Sequence, residues 1–175
     1  VQLEKRHDEM QSQLKESEEL HRCIVNSSPD LVYMLDCNGC FTFVNDRLES
    51  MLGFSREALV GKHFSELIDA DYVEKAQNLF NERRIGDRAV KNEEIRLRSN
   101  IQETREGLSR AKTVWTELTA MGVYVNSLDR TQENFIGTYG TARDISERKE
   151  AEELINFQAY HDLLTHLPNR ALLKD

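Results

Sequence analysis

Cys37-Asn38-Gly39-Cys40 is the short stretch whose residue types and spacing first suggest chemistry. Two thiols at this spacing can cycle between dithiol and disulfide, or supply half of a tetrahedral metal site. A metal site needs two more soft ligands, and neither a second Cys-x-x-Cys nor a Cys/His cluster follows. The pair also has a structural explanation. Asn-Gly between two β-rich runs signals a tight hairpin, and residues flanking such a turn sit opposite each other across it. A thiol redox sensor at Cys37 and Cys40 therefore stands as a rival to a plain turn. Cys23 is alone, and three cysteines without a framework suit a reducing cytosol. His7 and His21 read as seam or surface residues, and no metal site is expected.

No other chemistry stands out. The 31 acidic residues form no evident paired-carboxylate or Ser/His/Asp arrangement, and a Gly-rich phosphate loop is absent. No enzymatic activity is expected within these residues. The net charge is -8, and no basic stripe offsets it. That argues against nucleic acid, which needs clustered Lys and Arg. No apolar run approaches the roughly 18–20 residues of a membrane span. The fragment is expected to be cytoplasmic and to make no membrane contact, although an anchor upstream of Val1 would be compatible with it. A length of 175 residues suits one domain with flanking segments.

The elements that would position these residues follow in chain order. Residues 1–22 lack Gly and Pro and read as one helix. Leu3, Met10, Ser17 and Ile24 repeat every seven residues, with His7, Leu14 and His21 interleaved, so a weak coiled-coil seam is expected. A parallel dimer helix is one reading, and an amphipathic cap on its own domain the other. Leu31–Asp36 and Phe41–Asn45 read as a hairpin. Short helices are expected at Arg47–Leu52, Ser55–Leu59 and Ser65–Ile68, punctuated by Gly53 and Gly61. Tyr72–Arg84 is amphipathic, with Val73, Ala76, Leu79 and Phe80 on one face. Val90–Arg98, Val114–Asn126 and the stretch from Phe135 read as strands. Ser99–Thr113 is a polar insertion that either extends both neighbouring strands into a protruding hairpin, with Glu106-Gly107 at its tip, or forms a loop. In the last strand Phe135, Gly137 and Tyr139 are expected on one face, with Ile136, Thr138 and Gly140 on the other. Asp144 then caps a helix, with Glu147 completing a capping box. A core strand thus runs into an exit helix with no loop to absorb strain.

Three stretches carry resemblances. Gly140-Thr141-Ala142-Arg143-Asp144-Ile145-Ser146-Glu147-Arg148-Lys149 resembles the closing run of a PAS sensor domain. Phe43-Val44-Asn45, Met51-Leu52-Gly53-Phe54-Ser55 and Leu59-Val60-Gly61-Lys62 resemble earlier parts of the same family's pattern. Asp162-Leu163-Leu164-Thr165-His166-Leu167-Pro168-Asn169-Arg170 resembles the opening of a GGDEF (diguanylate cyclase) domain, with His166 where that family usually has Gly.

The resemblance implies an α+β PAS fold, a five-stranded antiparallel sheet with short helices on one face and signalling helices at both ends. The implied divisions are an N-terminal helix at 1–24, the PAS domain at 25–147, a linker helix at 148–162 and the truncated start of a GGDEF domain at 163–175. It further implies a bacterial signalling protein in which the domain controls a downstream GGDEF domain of the same chain, as a homodimer. The intact protein would then make or degrade cyclic di-guanosine monophosphate (cyclic di-GMP). Candidate pocket residues are Met34, Val44, Leu67, Ile68, Val73, Leu79, Phe80, Ile95, Leu97, Trp115, Leu118 and Tyr139. Relay residues are Asp144, Ile145, Arg148, Ala151 and Leu154, and the dimer helix would use Leu3, Met10, Leu14 and Ile24. In haem PAS domains the long helix usually supplies the axial ligand, yet residues 72–84 hold no His, and His63 is expected at the surface. The cysteine motif of blue-light flavin domains is absent from Gly61-Lys62-His63-Phe64-Ser65-Glu66-Leu67. Non-covalent flavin would have Trp115 to stack on. A small organic ligand, or none in a pure dimerisation module, fits best.

Overall fold

The computed structural model describes residues 2–82, 90–105, 108–125 and 131–160. α1 (Gln2–Asn26) leads into β1 (Leu31–Asp36) and β2 (Phe41–Val44). Three short connectors follow: α2 (Arg47–Leu52), α3 (Arg56–Leu59) and a 3-10 turn at Phe64–Glu66. A second 3-10 turn, Ala70–Tyr72, enters α4 (Val73–Glu82). β3 (Val90–Arg105), β4 (Leu108–Tyr124) and β5 (Phe135–Asp144) complete the sheet, and α5 (Ser146–Tyr160) leaves it.

The sheet order is β2-β1-β5-β4-β3, antiparallel throughout. Local chemistry explains several boundaries. Ser55 caps α3 by accepting from the Ala58 amide. Gly53 ends α2 in the left-handed conformation, its N–H returning to the Glu49 carbonyl. The hairpin turn is held by Asp36, whose carboxylate accepts from the Asn38 and Cys40 amides. The β3 edge is covered, since Asp69 N–H donates to Arg96 O and Arg98 N–H to Leu67 O.

The core fills the space between the inner sheet face and the short helices. Leu31, Tyr33, Leu35, Ile95, Leu97, Val114, Leu118 and Ala142 meet Leu48, Leu52, Leu59, Phe64 and Phe80 there. Each buried Leu or Phe stabilises by about 1.5–3 kcal/mol over its exposed state. Ser99 tucks its hydroxyl onto the Leu52 carbonyl, and Thr116 its own onto Ile95 O, so these buried polar groups are paired.

Two expectations resolve differently from a simple strand reading. The polar insertion is a hairpin arm, because β3 and β4 continue pairing through Gln102↔Ala111 to Arg105↔Leu108. Glu106 and Gly107 lie outside the described residues. In β5 the alternation is broken. Tyr124 pairs with Phe135 while Val123 pairs with Gly137, so Ile136 is an extra residue in a bulge. Phe135 is buried, as are Thr138 and Gly140, whereas Ile136 and Tyr139 are exposed. Phe135 and Tyr139 therefore do not share a face.

Candidate functional site

A cavity of about 50 Å³ lies between the inner sheet face and α4. Leu31, Tyr33 and Leu35 of β1 form one wall, with Ile95, Leu97, Leu118 and Ala142 beside them. Phe64, Leu67, Ile68, Ala76, Leu79 and Phe80 close it from the helical side, and Phe41 completes it. The lining side chains are apolar apart from Tyr33, whose hydroxyl lies against Gly140.

Seven of the expected pocket residues are in this lining: Leu67, Ile68, Leu79, Phe80, Ile95, Leu97 and Leu118. The other five are elsewhere. Val44 is fully buried in the core and Val73 packs against its edge. Met34 and Tyr139 are on the outer face, 39% and 38% exposed. They pair directly, and Tyr139 pairs onward with Met121. β1 is apolar on both faces, so period-two alternation alone did not fix its phase, and the bulge at Ile136 displaced the phase of β5. Leu31, Tyr33, Leu35, Phe41, Phe64, Ala76 and Ala142 line the cavity without having been expected there. Tyr33 was findable, since it alternates with Leu31 and Leu35.

Trp115 is the fifth exception. It alternates with buried Val114 and Thr116, so it stands on the outer face rather than in core or cavity. Tyr72 meets its ring edge-on at 5.5 Å. The Arg96 guanidinium lies 5.7 Å from the ring centre and 5.6 Å from that of Tyr72, and the Lys149 ammonium is 5.2 Å from Trp115. Arg96 is oriented by Asp69 at 2.9 Å and Asp71 at 3.2 Å.

α5 grows out of this cluster. The Asp144 carboxylate accepts from the Ser146 amide at 2.9 Å, as a helix cap does. Among the described residues no bond from Glu147 returns to Asp144, so the box is half made. Ile145 is buried, and its N–H donates to Trp115 O at 2.9 Å. Arg148 reaches Glu94 at 2.8 Å and Glu117 at 3.3 Å, bridging β3 and β4. Lys149 also pairs with Glu94. The Lys149 hydrogen bond holds the Glu94 carboxyl below its ordinary range, and the same bond raises the Lys149 ammonium. Beyond this first turn Ala151 and Leu154 are exposed, as is the rest of α5.

α1 joins the domain at its C-terminal end. Asn45 is buried, takes the Val32 amide on Oδ1 and donates from Nδ2 to Val25 O and Asp30 O. Arg143, one residue before the end of β5, holds Asp30 through a bidentate contact at 3.0–3.3 Å. Entry and exit segments are thus tied together at one corner. Met10, Leu14 and Ile24 are exposed on α1, and Leu3 lies on the same helix.

Cys37 is exposed and Cys40 is half-buried, and no disulfide joins them. No grouping of metal-ligating side chains occurs among the described residues. No described helix is long and apolar enough to cross a membrane. His63 is half-buried rather than on the surface. Its Nδ1 accepts from the Ser65 amide, and its ring stacks on Phe64 at 4.4 Å.

A family model described as the PAS fold matches residues 19–145. A curated relative, an uncharacterised protein y4lL of Sinorhizobium fredii, is 26% identical over 169 residues. That match covers 93% of this chain but only 19% of the relative, so the chain spans about a fifth of its length. Among solved structures, the PAS domain of an HTR-like protein from Haloarcula marismortui is similar at 21% identity and a TM-score of 0.54, covering 79% of this chain and 99% of that one. A PAS domain from a two-component sensor histidine kinase is similar at 16% identity and a TM-score of 0.50, covering 74% and 97%.

Proposed function

The chain belongs to the PAS family, and we propose that it is a sensory domain relaying a signal through α5 to a GGDEF output domain that follows in the same chain. The observation that carries this is a continuous contact path from cavity to exit helix. α4 closes the cavity with Ala76, Leu79 and Phe80. Tyr72, immediately before α4, rests on Trp115. Trp115 touches Lys149 through its ring and holds Ile145 through its carbonyl. A displacement of α4 by ligand is thereby passed to the first turn of α5. Packed contacts of this kind switch between discrete arrangements rather than deforming smoothly.

The active form in this reading is a parallel dimer. α1 is 25 residues long, about 37 Å at 1.5 Å per residue, and exposed at all the described side chains from Arg6 to Ile24. A helix with so little packing of its own is stabilised by a partner. Opposed α1 and α5 helices would let a small rotation alter how two output domains face each other. The output itself rests on the resemblance of residues 162–170, which lie outside the described residues.

The test extends the chain past Asp175 to its natural end and follows the conversion of GTP to cyclic di-GMP, and the hydrolysis of that product. Wild type is expected to show one of these activities. Arg148→Ala and Trp115→Leu are expected to shift it severalfold while the domain stays folded. Neither activity in wild type would sink the output assignment, and unchanged activity in both variants would sink the relay.

A further inference from the structure

Beside the apolar cavity lies a second, polar cleft of about 200 Å³, lined by Asn38, His63, Phe64, Gln77, Phe80 and Asn81. Phe64 and Phe80 line both spaces. Their ring centres are 5.3 Å apart at 42°, and each is only 6% exposed, so these two rings are the partition. We propose that cavity and cleft are two chambers of one site, gated by Phe64 and Phe80, and that the site takes a small uncharged amphiphile, a short carbon chain bearing one polar head.

Each part of the ligand follows from its chamber. The inner chamber offers apolar walls and almost no polar anchor, so it selects the carbon chain. Its volume of about 50 Å³ is a third of the ~150 Å³ cavity that holds benzene. It therefore takes only a few carbons, and a longer chain must extend past the Phe64 and Phe80 rings. The outer chamber supplies the anchors. His63 Nδ1 is engaged by Ser65, 2.7 Å from its hydroxyl and 3.3 Å from its amide. Its other ring nitrogen, Nε2, faces the Asn38-Gly39 turn, 2.9 Å from where a Cβ on Gly39 would stand, and can donate to or accept from a polar head. The amides of Gln77 and Asn81 add donors and acceptors on the other side. Among the described residues no fixed charge lines the cleft. An uncharged head is matched there, whereas a carboxylate or ammonium would lose hydration without gaining a counter-ion.

α4 contributes to both chambers. Ala76 and Leu79 face the inner one, Gln77 and Asn81 the outer, and Phe80 the partition. A molecule spanning the gate must turn Phe80 and load α4 from both sides. The proposal deepens the sensory reading by naming what the sensor takes. Its test reads occupancy alone, so its failure would leave the relay through α5 untouched.

The test is an NMR titration of the methyl- and ¹⁵N-labelled 175-residue chain with 1-pentanol, pentanoate serving as the charged comparison. 1-Pentanol is expected to shift the methyls of Leu67, Ile95, Leu97 and Leu118, together with the side-chain amides of Gln77 and Asn81, along one saturating curve. Gln77→Leu, an exposed position that leaves the core intact, is expected to weaken that curve about fivefold, as loss of one hydrogen bond does. Ala76→Leu, which fills the inner chamber, is expected to abolish the methyl shifts. Should Ala76→Leu fail to fold, the Gln77→Leu result decides alone. Non-saturating shifts would overturn the proposal. Saturating shifts confined to Met34, Met121 and Tyr139 on the outer face would do the same, as would equal affinity for pentanoate.

Discussion

Gly39 shows how a single missing side chain sets the mouth of the site. Its φ is +83°, and a Cβ there would meet His63 Nε2 at 2.9 Å and the Phe64 ring at 3.0 Å. Gly61 has a similar φ of +86° but nothing within 4 Å. Alanine at Gly61 should therefore cost only the left-handed backbone, about 1 kcal/mol. Gly39→Ala should cost about 2 kcal/mol or more, since His63 and Phe64 must also give way. Paired urea denaturation curves check this, and equal losses would mean that the contact is irrelevant. Asn45 is the other residue on which geometry depends. Removing its amide leaves the Val32 N–H and two carbonyls without their partner. Asn45→Ala is expected to lower stability by about 3 kcal/mol and to speed amide exchange at the end of α1. The Asn-Gly turn was legible from residue type alone, because only local backbone geometry is involved. The roles of His63 and Asn45 were not, since each depends on partners that folding brings from elsewhere in the chain, such as Gly39 for His63 and Val25, Asp30 and Val32 for Asn45.

At the scale of elements, the junction between β5 and α5 is where the sheet and the exit helix are held together. Its first turn is fixed by Ile145 N–H on Trp115 O and by Arg148 and Lys149 on Glu94 and Glu117. These ion pairs are partly exposed, so they orient the helix more than they stabilise it. The Glu94 carboxyl is lowered, chiefly by its bond from Lys149. A lowered acid contributes stability above its unfolded value of about 4.3 and loses it as pH falls through the folded value. Lys149 is raised, so its contribution is present below about 10.4 and lost above that. Between those limits the junction holds. Trp115 is the chain's single tryptophan and touches Lys149 directly, so its emission is a native reporter. The emission is expected to be flat from about pH 5 to 9 and to shift once acid protonates the lowered Glu94 carboxyl, and Glu94→Gln should remove the acid transition. An acid shift surviving in that variant would place the change elsewhere. The strand-to-helix run was legible because Asp144 is a strong cap after a β-rich stretch. The clamp was only partly so. Arg148 was marked as a relay residue, but its partners on β3 and β4 are set by register, and the register is shifted by bulges that residue patterns do not reveal.

Across the whole molecule, two helices extend from one corner of the domain, and that corner is pinned by Asp30 with Arg143 and by Asn45. The entry and exit segments are thus adjacent though Asp30 and Arg143 stand 113 positions apart in sequence. The five-stranded architecture was legible almost entirely, because alternation, turn residues and caps are local signals that agree. The site was half legible. A cavity is a property of which faces converge, and two strands whose faces are both apolar leave that choice to packing. The α1 seam is the clearest case of a pattern that one chain leaves exposed. Met10, Leu14 and Ile24 are each at least 60% exposed in one chain. His7, Ser17 and His21 in the same seam weaken any pairing. The chain is therefore expected to sediment as a dimer at micromolar concentration. Leu14→Glu, placing a charge at the centre of the seam, should convert it to monomer while leaving Trp115 emission unchanged, since Leu14 is exposed on its own chain. A wild-type monomer would remove the coiled-coil reading of α1. A dimer insensitive to Leu14→Glu would transfer the interface to the exposed row of Met34, Tyr139 and Met121 on the outer sheet face.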